Sequence, residues 1–251
     1  MILLLDIGNT HVHLGLADHR GVRRKVEIAT GHLPLPRGLA TLKRFVGKRT
    51  VTGIAWCSVV PRASRGLSPR LRRMWRVPVL PLTHLTVRGI TIRYPFPASI
   101  GPDRLANAVA ATHHDGAPSV VIDFGTAVTF DVIDAGGSYV GGIIAPGLTV
   151  MTDYLHERTA LLPRIRIRET RAVIGKSSEQ AMLIGALHGY RGLIRELVSR
   201  LRTELQCTRL PVIATGGYAA MVSRGLPEVT RVDDRLTLEG LRLTWLAHHG
   251  K

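Results

Sequence analysis

Two apolar runs, in different halves of the chain, are each followed by an acidic residue, a glycine turn and a second run in which apolar and polar positions alternate. Residues 2–5 lead into Asp6, and residues 119–122 lead into Asp123. Short apolar runs bounded by turn residues predict strands, so each place predicts a strand, a tight turn and a second strand. The second strands are predicted over residues 11–18 and 127–134.

The two strand–turn–strand units match each other in register. When their acidic residues are aligned, Gly8 also aligns with Gly125, 117 residues later. This period is too long for a solenoid repeat and suits two similar domains. We therefore predict two duplicated domains, over residues 1–115 and 116–251.

Helical periodicity occurs in both predicted domains. Residues 102–112 place apolar side chains on one side and begin with a proline, which the first turn of a helix tolerates. Residues 178–202 carry an apolar stripe at helical spacing, and Ser177 with Gln180 predicts a capping box at its start. The mixture of strands and helices predicts an α/β fold.

The composition is that of a folded chain without disulfides. With 251 residues, 45% of them hydrophobic, the chain can bury about 70–75% of its extended surface, which excludes disorder as its main state. Cys57 and Cys207 are far apart and lack the spacing of zinc ligands, which favours a reducing cytoplasm. The chain begins without the basic lead of a signal peptide, and no apolar stretch reaches the ~20 residues of a membrane span. We expect a cytoplasmic protein with no membrane partner.

The net charge of +16 comes almost wholly from arginine, because only five of the 34 basic residues are lysine. Such a surface can bind polyanions, since guanidinium groups bind phosphate well. It can also be an ordinary solvated face. The chain has no interleaved aromatic residues and no helix-turn-helix, zinc-finger or RNP pattern. We therefore favour the solvated face and expect no nucleic acid partner.

The two acidic turns have the residue types of a nucleotide phosphate site. Glycine lets the backbone approach a phosphate, neighbouring N–H groups donate to it, and the threonine hydroxyl adds a donor. The carboxylate requires a cation between itself and the phosphate. A single such turn is equally typical of an ordinary hairpin, whereas two matching copies favour nucleotide binding. A third small-residue turn, residues 214–217, follows a predicted strand and can admit a phosphate or a nucleoside ring.

Six segments, in order and spacing, resemble type III pantothenate kinase, a family of the acetate and sugar kinase, heat-shock chaperone and actin superfamily. They cover nearly the whole chain. The segments are Asp6-Ile7-Gly8-Asn9-Thr10, Gly101-Pro102-Asp103-Arg104, Asp123-Phe124-Gly125-Thr126-Ala127, residues 141–147, residues 159–163 and Ala214-Thr215-Gly216-Gly217.

The resemblance implies a fold and an activity. The fold is two ribonuclease-H-like, actin-like ATPase domains with ATP in the cleft between them. The activity is ATP-dependent phosphorylation of pantothenate to 4'-phosphopantothenate, the first step of coenzyme A biosynthesis. Magnesium with ATP, a monovalent cation (K⁺ or NH₄⁺) and a homodimer are implied as well.

The resemblance also assigns residues to ATP and the cations. Asp6 is implied to coordinate magnesium, directly or through water, and Asp123 to bind the monovalent cation. The residues implied to bind ATP are Asp6, Ile7, Gly8, Asn9, Thr10, His11, Val12, His13 and Thr126.

The pantothenate site is implied on Tyr94, Gly101, Pro102, Asp103, Arg104 and Ser178. In the family a threonine is usual at the position of Ser178, after Gly-Lys-Asn, so this position departs from the pattern. Asp103 is implied to be the general base. An aspartate with the usual pKa of about 3.9 is ionised at neutral pH, and a helix start keeps it so. Without the resemblance, Asp103 would be read as a helix-terminal acid that stabilises the helix dipole.

Two alternatives remain open from the sequence. The first is a regulatory or transcription accessory protein on the same scaffold, which the arginine excess would suit; the complete phosphate turns and Asp103 count against it. The second is a kinase of another small alcohol, against which the segment from Tyr94 to Arg104 argues.

Overall fold

The computed structural model describes residues 1–33 and 35–250 and has a mixed α/β architecture. Its strands are β1 (Ile2–Ile7), β2 (His11–Asp18), β3 (Gly21–Ala29), β4 (Gly53–Ser58), β5 (Val79–Pro81), β6 (Thr91–Ile92), β7 (Ser119–Phe124), β8 (Ala127–Ile133), β9 (Ser138–Pro146), β10 (Val212–Thr215) and β11 (Arg231–Val232). Its helices are α1 (Pro36–Val46), α2 (Pro61–Ser64), α3 (Leu67–Trp75), α4 (Pro102–Asp115), α5 (Leu148–Arg158), α6 (Ser178–Ile184), α7 (Tyr190–Glu204), α8 (Ala219–Ser223) and α9 (Leu236–His249). None of the helices in the described ranges is long and apolar enough to cross a membrane.

The two sheets have the same strand order, which confirms the predicted α/β duplication. The first is ordered β3-β2-β1-β4-β5, and the second β9-β8-β7-β10-β11, with β6 added beside β9. In both, the first strand pairs antiparallel with the second and parallel with the fourth. This repeated order is the basis of two ribonuclease-H-like folds.

The strands that carry the acidic residues extend further than their apolar runs. Asp6 still pairs with His13, and Asp123 still pairs with Thr129, so both acidic residues belong to strands and the turns begin after them. An aspartate in the last part of a strand keeps its backbone hydrogen bonds while its side chain leaves the apolar layer. Each carboxylate is thereby held on a regular ladder.

The predicted long helix is present but interrupted. It runs as α6, a π turn over Gly185–Gly189, and α7. The Ser177 hydroxyl accepts a hydrogen bond from the Gln180 amide at 3.2 Å, which confirms the predicted cap. The Gln180 side chain accepts from the Lys176 amide at 2.7 Å, one residue before the position that a capping box requires.

The chain forms two compact units, each of which is built from more than one segment of the sequence. The first contains Met1–Gly116, Gly137–Val140 and the residues from Arg235 onward, and the second contains Ala117–Gly136 and Gly141–Asp234. The predicted domains, 1–115 and 116–251, differ from these units in the two short segments that join the first. The differences have a physical cause, because the first residues of β9 pair with β6 and α9 packs on α4. The domain boundaries themselves stay a prediction.

Helices cover both faces of the first sheet. On one face, alternate residues of β1 (Leu3, Leu5 and Ile7) pack in one core cluster with residues of α1 and α3. On the other face lie α4 and α9, which contact each other and β4. A Cβ at Gly240 of α9 would overlap the backbone carbonyl of Ala106 in α4, so glycine permits the helices to approach this closely. The Thr237 hydroxyl also donates to the Asn107 side chain at 2.8 Å.

A buried ion pair within α9 also makes hydrogen bonds to neighbouring elements. Arg242 donates through two nitrogens to the Glu239 carboxylate and through a third to the His19 carbonyl at 2.8 Å. His114 of α4 lies 3.2 Å from the same carboxylate. Because buried charges are costly unless they are paired, this network fixes how α9 lies on α4 and on the β2–β3 turn.

We predict that Gly240→Ala lowers the free energy of unfolding by about 2–3 kcal/mol, because the new methyl group must push α9 away from α4. Urea denaturation measures the change. Gly192→Ala in α7 is the matched control, since a Cβ there meets nothing within 4 Å and the change should be neutral or stabilising by up to about 1 kcal/mol. Equal effects of the two changes would contradict the close approach at Gly240.

Candidate active site

The first acidic turn is a tight, exposed loop of three residues between β1 and β2. The Gly8 amide donates to the His11 carbonyl at 3.0 Å. The Thr30 hydroxyl donates to the Gly8 carbonyl at 2.7 Å and the Thr30 amide to the Thr10 carbonyl at 3.0 Å, which anchors the loop. Asn9, Thr10 and His11 are exposed. The loop therefore presents polar groups from a fixed backbone, as phosphate binding requires.

The predicted ATP-binding residues of this region divide into two groups. The side chains of Ile7 and Val12 are fully buried in the core, so these residues could contact a nucleotide only through their backbone. His13 is partly buried, 3.3 Å from Glu27. Burial lowers the pKa of His13, and the Glu27 charge opposes that shift. The remaining residues, Asp6, Gly8, Asn9, Thr10 and His11, are at least partly accessible.

Asp103 lies in the first turn of α4, where the backbone folds tightly around it. Its carboxylate accepts a hydrogen bond from the Arg104 amide at 2.8 Å. A Cβ at Gly101 would be 2.5 Å from the same carboxylate oxygen, so glycine leaves room for it. Burial raises the pKa of Asp103, against the Arg104 amide and charge, which lower it. The expectation of an ordinary pKa was wrong, because the sequence does not show how fully α4 is covered.

Asp6 contacts the thiol of Cys57, and the charge of Asp103 acts on the same thiol. Cys57 in β4 pairs in register with Asp6 in β1 and is completely buried. Its Sγ donates to the Asp6 Oδ1 at 3.4 Å. Burial raises the pKa of Cys57 strongly, and the negative charges of Asp6 and then Asp103 raise it further. Cys57 is 51 residues from Asp6 in the sequence, and no local pattern connects the two.

Tyr139 joins two of the predicted pantothenate residues. Its buried ring contacts the Tyr94 ring edge-on, with centroids 6.3 Å apart. The Arg104 guanidinium lies over the same ring, 5.9 Å from the centroid. Tyr94, Arg104 and Tyr139 therefore form one cluster in the first unit. The sequence analysis missed Tyr139, which lies beyond the predicted domain boundary.

Two glycines from other segments lie against the second acidic turn. The Gly125 amide donates to the Ala127 carbonyl at 3.1 Å. A Cβ at Gly216, at the end of β10, would overlap the Asp123 carboxylate, and one at Gly147 would overlap the Thr126 carbonyl. The third predicted turn therefore lies directly against the second. Burial and the Asp123 charge raise the pKa of the Tyr190 hydroxyl, which stays protonated.

Ser178 is the first residue of α6 and is exposed, while its neighbour Ser177 caps the helix. Ser178 belongs to the second unit, whereas the other predicted pantothenate residues belong to the first. Its hydroxyl can serve as a donor or an acceptor.

The carboxylates of Asp6 and Asp123 fit the implied cations as single oxygen ligands. Magnesium and potassium prefer such hard oxygen donors. Among the described residues, no group of three or more His, Cys, Asp or Glu could hold a metal ion. A magnesium ion at Asp6 would therefore take its other ligands from substrate phosphates and water, which is how nucleotide-bound magnesium is usually held.

Known proteins share both the sequence and the fold. The sequence profile of type III pantothenate kinase matches residues 2–200. The type III pantothenate kinase of Methylacidiphilum infernorum is 42% identical over 245 residues, 96% of this chain and 87% of the relative. That of Akkermansia muciniphila is 44% identical over 238 residues, 91% of this chain and 96% of the relative.

Two solved structures share the fold at low sequence identity. A Baf family transcriptional activator from Campylobacter jejuni has a TM-score of 0.60 at 18% identity, with 98% of each chain covered. The ROK hexokinase of Thermus thermophilus has a TM-score of 0.52 at 17% identity, with 98% of this chain and 99% of that one covered. These likenesses concern the fold alone and agree with the actin-like, ribonuclease-H-like duplication. The profile match and the identities to full-length relatives, in contrast, make this chain a member of the type III pantothenate kinase family.

Proposed function

We propose that this chain transfers the γ-phosphoryl group of ATP to the hydroxyl of pantothenate, giving 4'-phosphopantothenate and ADP, the first step of coenzyme A biosynthesis. The observation that supports this function is that, in a member of this family, the Asp6 carboxylate accepts a hydrogen bond from a buried thiol whose pKa the charge of Asp103 also raises. The acid of the phosphate turn and the acid of the pantothenate segment therefore both act on one buried group. Because ATP is the phosphoryl donor, we place the enzyme in the cytoplasm.

Asp103 is proposed to accept the proton of the pantothenate hydroxyl as the new O–P bond forms and the bond from the γ-phosphorus to ADP breaks. Phosphoryl transfer has a loose transition state, so a strong base is unnecessary and positioning contributes most. The raised pKa of Asp103 makes it a better proton acceptor than an exposed aspartate. The Gly101–Arg104 turn holds its carboxylate still.

Tyr94 and Arg104 are proposed to orient pantothenate, together with Gly101, Pro102 and Ser178. Pantothenate carries a carboxylate, and a guanidinium group is suited to bind one. Packing on Tyr139 restrains the Arg104 side chain, which lowers the entropy lost on binding. Ser178 can supply the hydroxyl that threonine supplies in the family.

Magnesium and a monovalent cation are proposed at the two acidic turns. When bound, magnesium would neutralise phosphate charge, and Asp6 is the residue that would hold it, directly or through water. Asp123 would hold K⁺ or NH₄⁺, and the absence of a Cβ at Gly216 lets the backbone after β10 approach its carboxylate. Thr126 and the residues from Asp6 to His13 would contact ATP.

A homodimer is proposed because the second unit exposes several large apolar side chains. Ile144 is 65% exposed, Tyr154 58% and Leu161 90%, and Val150 and Leu155 are exposed as well. These residues lie along α5 and the segments that flank it. Large apolar side chains exposed together mark protein contacts, and a second copy is the partner that the family resemblance implies.

Turnover with ATP and pantothenate tests the proposed function, and we expect Asp103→Asn to lower kcat by ~10²-fold or more while ATP binding is retained. The wild-type rate should fall on acidification at a pH above the usual aspartate pKa of about 3.9, because protonated Asp103 cannot accept a proton. A coupled ADP-release assay and calorimetric ATP titration give the two values. Near-normal turnover of Asp103→Asn would remove its assignment as the base.

The same assay separates the alternatives. A regulatory protein would show no turnover, and salt-sensitive DNA binding without turnover would favour it. A kinase of another alcohol would turn over a sugar or a different small alcohol faster than pantothenate at fixed ATP.

We expect replacement of K⁺ by Na⁺, at constant ionic strength, to lower turnover by about tenfold, equivalent to about 1.4 kcal/mol of barrier. Asp123→Asn should abolish this difference, because the cation would lose its charged ligand. Initial rates in the two salts are the measurement. Wild-type indifference to the exchange would exclude the proposed role of Asp123.

For the homodimer, Leu161→Asp should raise the dimer dissociation constant by ~10-fold or more, since it places a charge in the proposed contact. Sedimentation equilibrium measures this constant. Leu85→Asp, at a residue 74% exposed in the first unit, is the matched control and should have little effect. A monomeric wild-type protein would contradict the proposal.

A further inference from the structure

We propose that Cys57 is a positioning residue of the kinase: its thiol orients the Asp6 carboxylate for Mg-ATP by donating a hydrogen bond to one carboxylate oxygen. This role rests on the proposed function of Asp6. The family resemblance in the sequence does not include Cys57.

Strand register brings the two side chains together. β1 and β4 run parallel, and Asp6 is the partner of Cys57 along the ladder. In-register partners on neighbouring strands point to the same face of a sheet. Leu5 and Ile7 point to the opposite face, where they belong to the core cluster. Asp6 and Cys57 therefore share the sheet face that α4, the helix of Asp103, covers.

The thiol donates its hydrogen bond to Asp6. Its sulfur is 3.4 Å from the Asp6 Oδ1, a normal length for an S–H···O hydrogen bond, and the residue is completely buried. Burial excludes water as a competing partner. A carboxylate oxygen accepts hydrogen bonds and a thiol donates them, so the sulfur is the donor in this contact.

A neutral donor is chemically suited to this position. An arginine or lysine beside Asp6 would neutralise the carboxylate and compete with the cation. A thiol is a weak, uncharged donor, so it fixes the orientation of one oxygen while the full negative charge stays available to magnesium. A thiol is also small enough to fit beside Asp6, because β1 and β4 are directly paired strands.

The test compares Cys57→Ser with Cys57→Ala, two changes of similar size of which only serine keeps a donor. We expect Cys57→Ala to weaken Mg-ATP binding about tenfold by calorimetry and to raise the KM for Mg-ATP similarly, with the KM for pantothenate within twofold. Cys57→Ser should stay within threefold of the wild type in all three values. Cys207→Ala is the control and should change none of them.

A purely structural role predicts a different result. Both Cys57 variants would then lower the melting temperature alike, and Mg-ATP affinity would be equal in the two; that outcome overturns the proposal. If Cys57→Ala does not yield folded protein, Cys57→Val, which also lacks a donor, replaces it in the same comparison.

Asp6→Asn separates failure of this inference from failure of the proposed function. If Asp6→Asn binds Mg-ATP as well as the wild type, Asp6 has no role in binding and the proposed function of the turn fails. If Asp6→Asn weakens binding but Cys57→Ala does not, only the role of Cys57 fails. In the Asp6→Asn background the loss caused by Cys57→Ala should shrink to less than twofold, because the two residues act through one contact. A full tenfold loss in that background would also overturn the proposal.

Discussion

The close packing of α9 on α4 is the contact on which the candidate active site depends. α4 carries Asp103 in its first turn, and that carboxylate can meet substrate correctly only if the whole helix is fixed on the sheet. Gly240 lets α9 reach the backbone of α4 at Ala106, one turn of helix beyond Asp103. The Thr237–Asn107 hydrogen bond and the contact of His114 with Glu239 then hold α4 against α9. A helix from the end of the chain thus sets the position of a residue from its first half.

Desolvation of the site residues is the second constraint on the site. The carboxylates of the site are negative, whereas the net charge of the chain is positive. The protein has a net charge of +16, yet the groups proposed for chemistry are carboxylates at the edge of an apolar sheet face. Exposed arginines are screened by water and salt, whereas Cys57 is completely buried and Asp103 is partly buried, and both have raised pKa values. The electrostatics of the site are therefore decided by local burial and by a few close neighbours.

Duplication supplied one scaffold that the two halves use differently. Both first strands end in an acidic residue and a glycine turn, but three residues separate β1 from β2 and two separate β7 from β8. The environments also differ: Asp6 lies beside the Cys57 thiol of β4, while Asp123 lies beside the bare backbone of Gly216 after β10. The same strand–turn–strand unit thus places its carboxylate against a hydrogen-bond donor in one half and against glycine backbone in the other.

The sequence by itself determined the elements whose signals are local: the paired strands around both acidic turns, the helix that begins at Pro102, the cap at Ser177 and the duplicated α/β architecture. Strand alternation, helix periodicity and capping depend on residues a few positions apart, so a single chain displays them. Only the tertiary structure decided that α9 and residues 137–140 join the first unit, that Tyr139 contacts Tyr94 and Arg104, and that Cys57 lies beside Asp6. It also decided the pKa of Asp103, because desolvation depends on which distant segments cover a group. These contacts join residues far apart in the chain, and no local pattern of hydrophobic and polar positions encodes them.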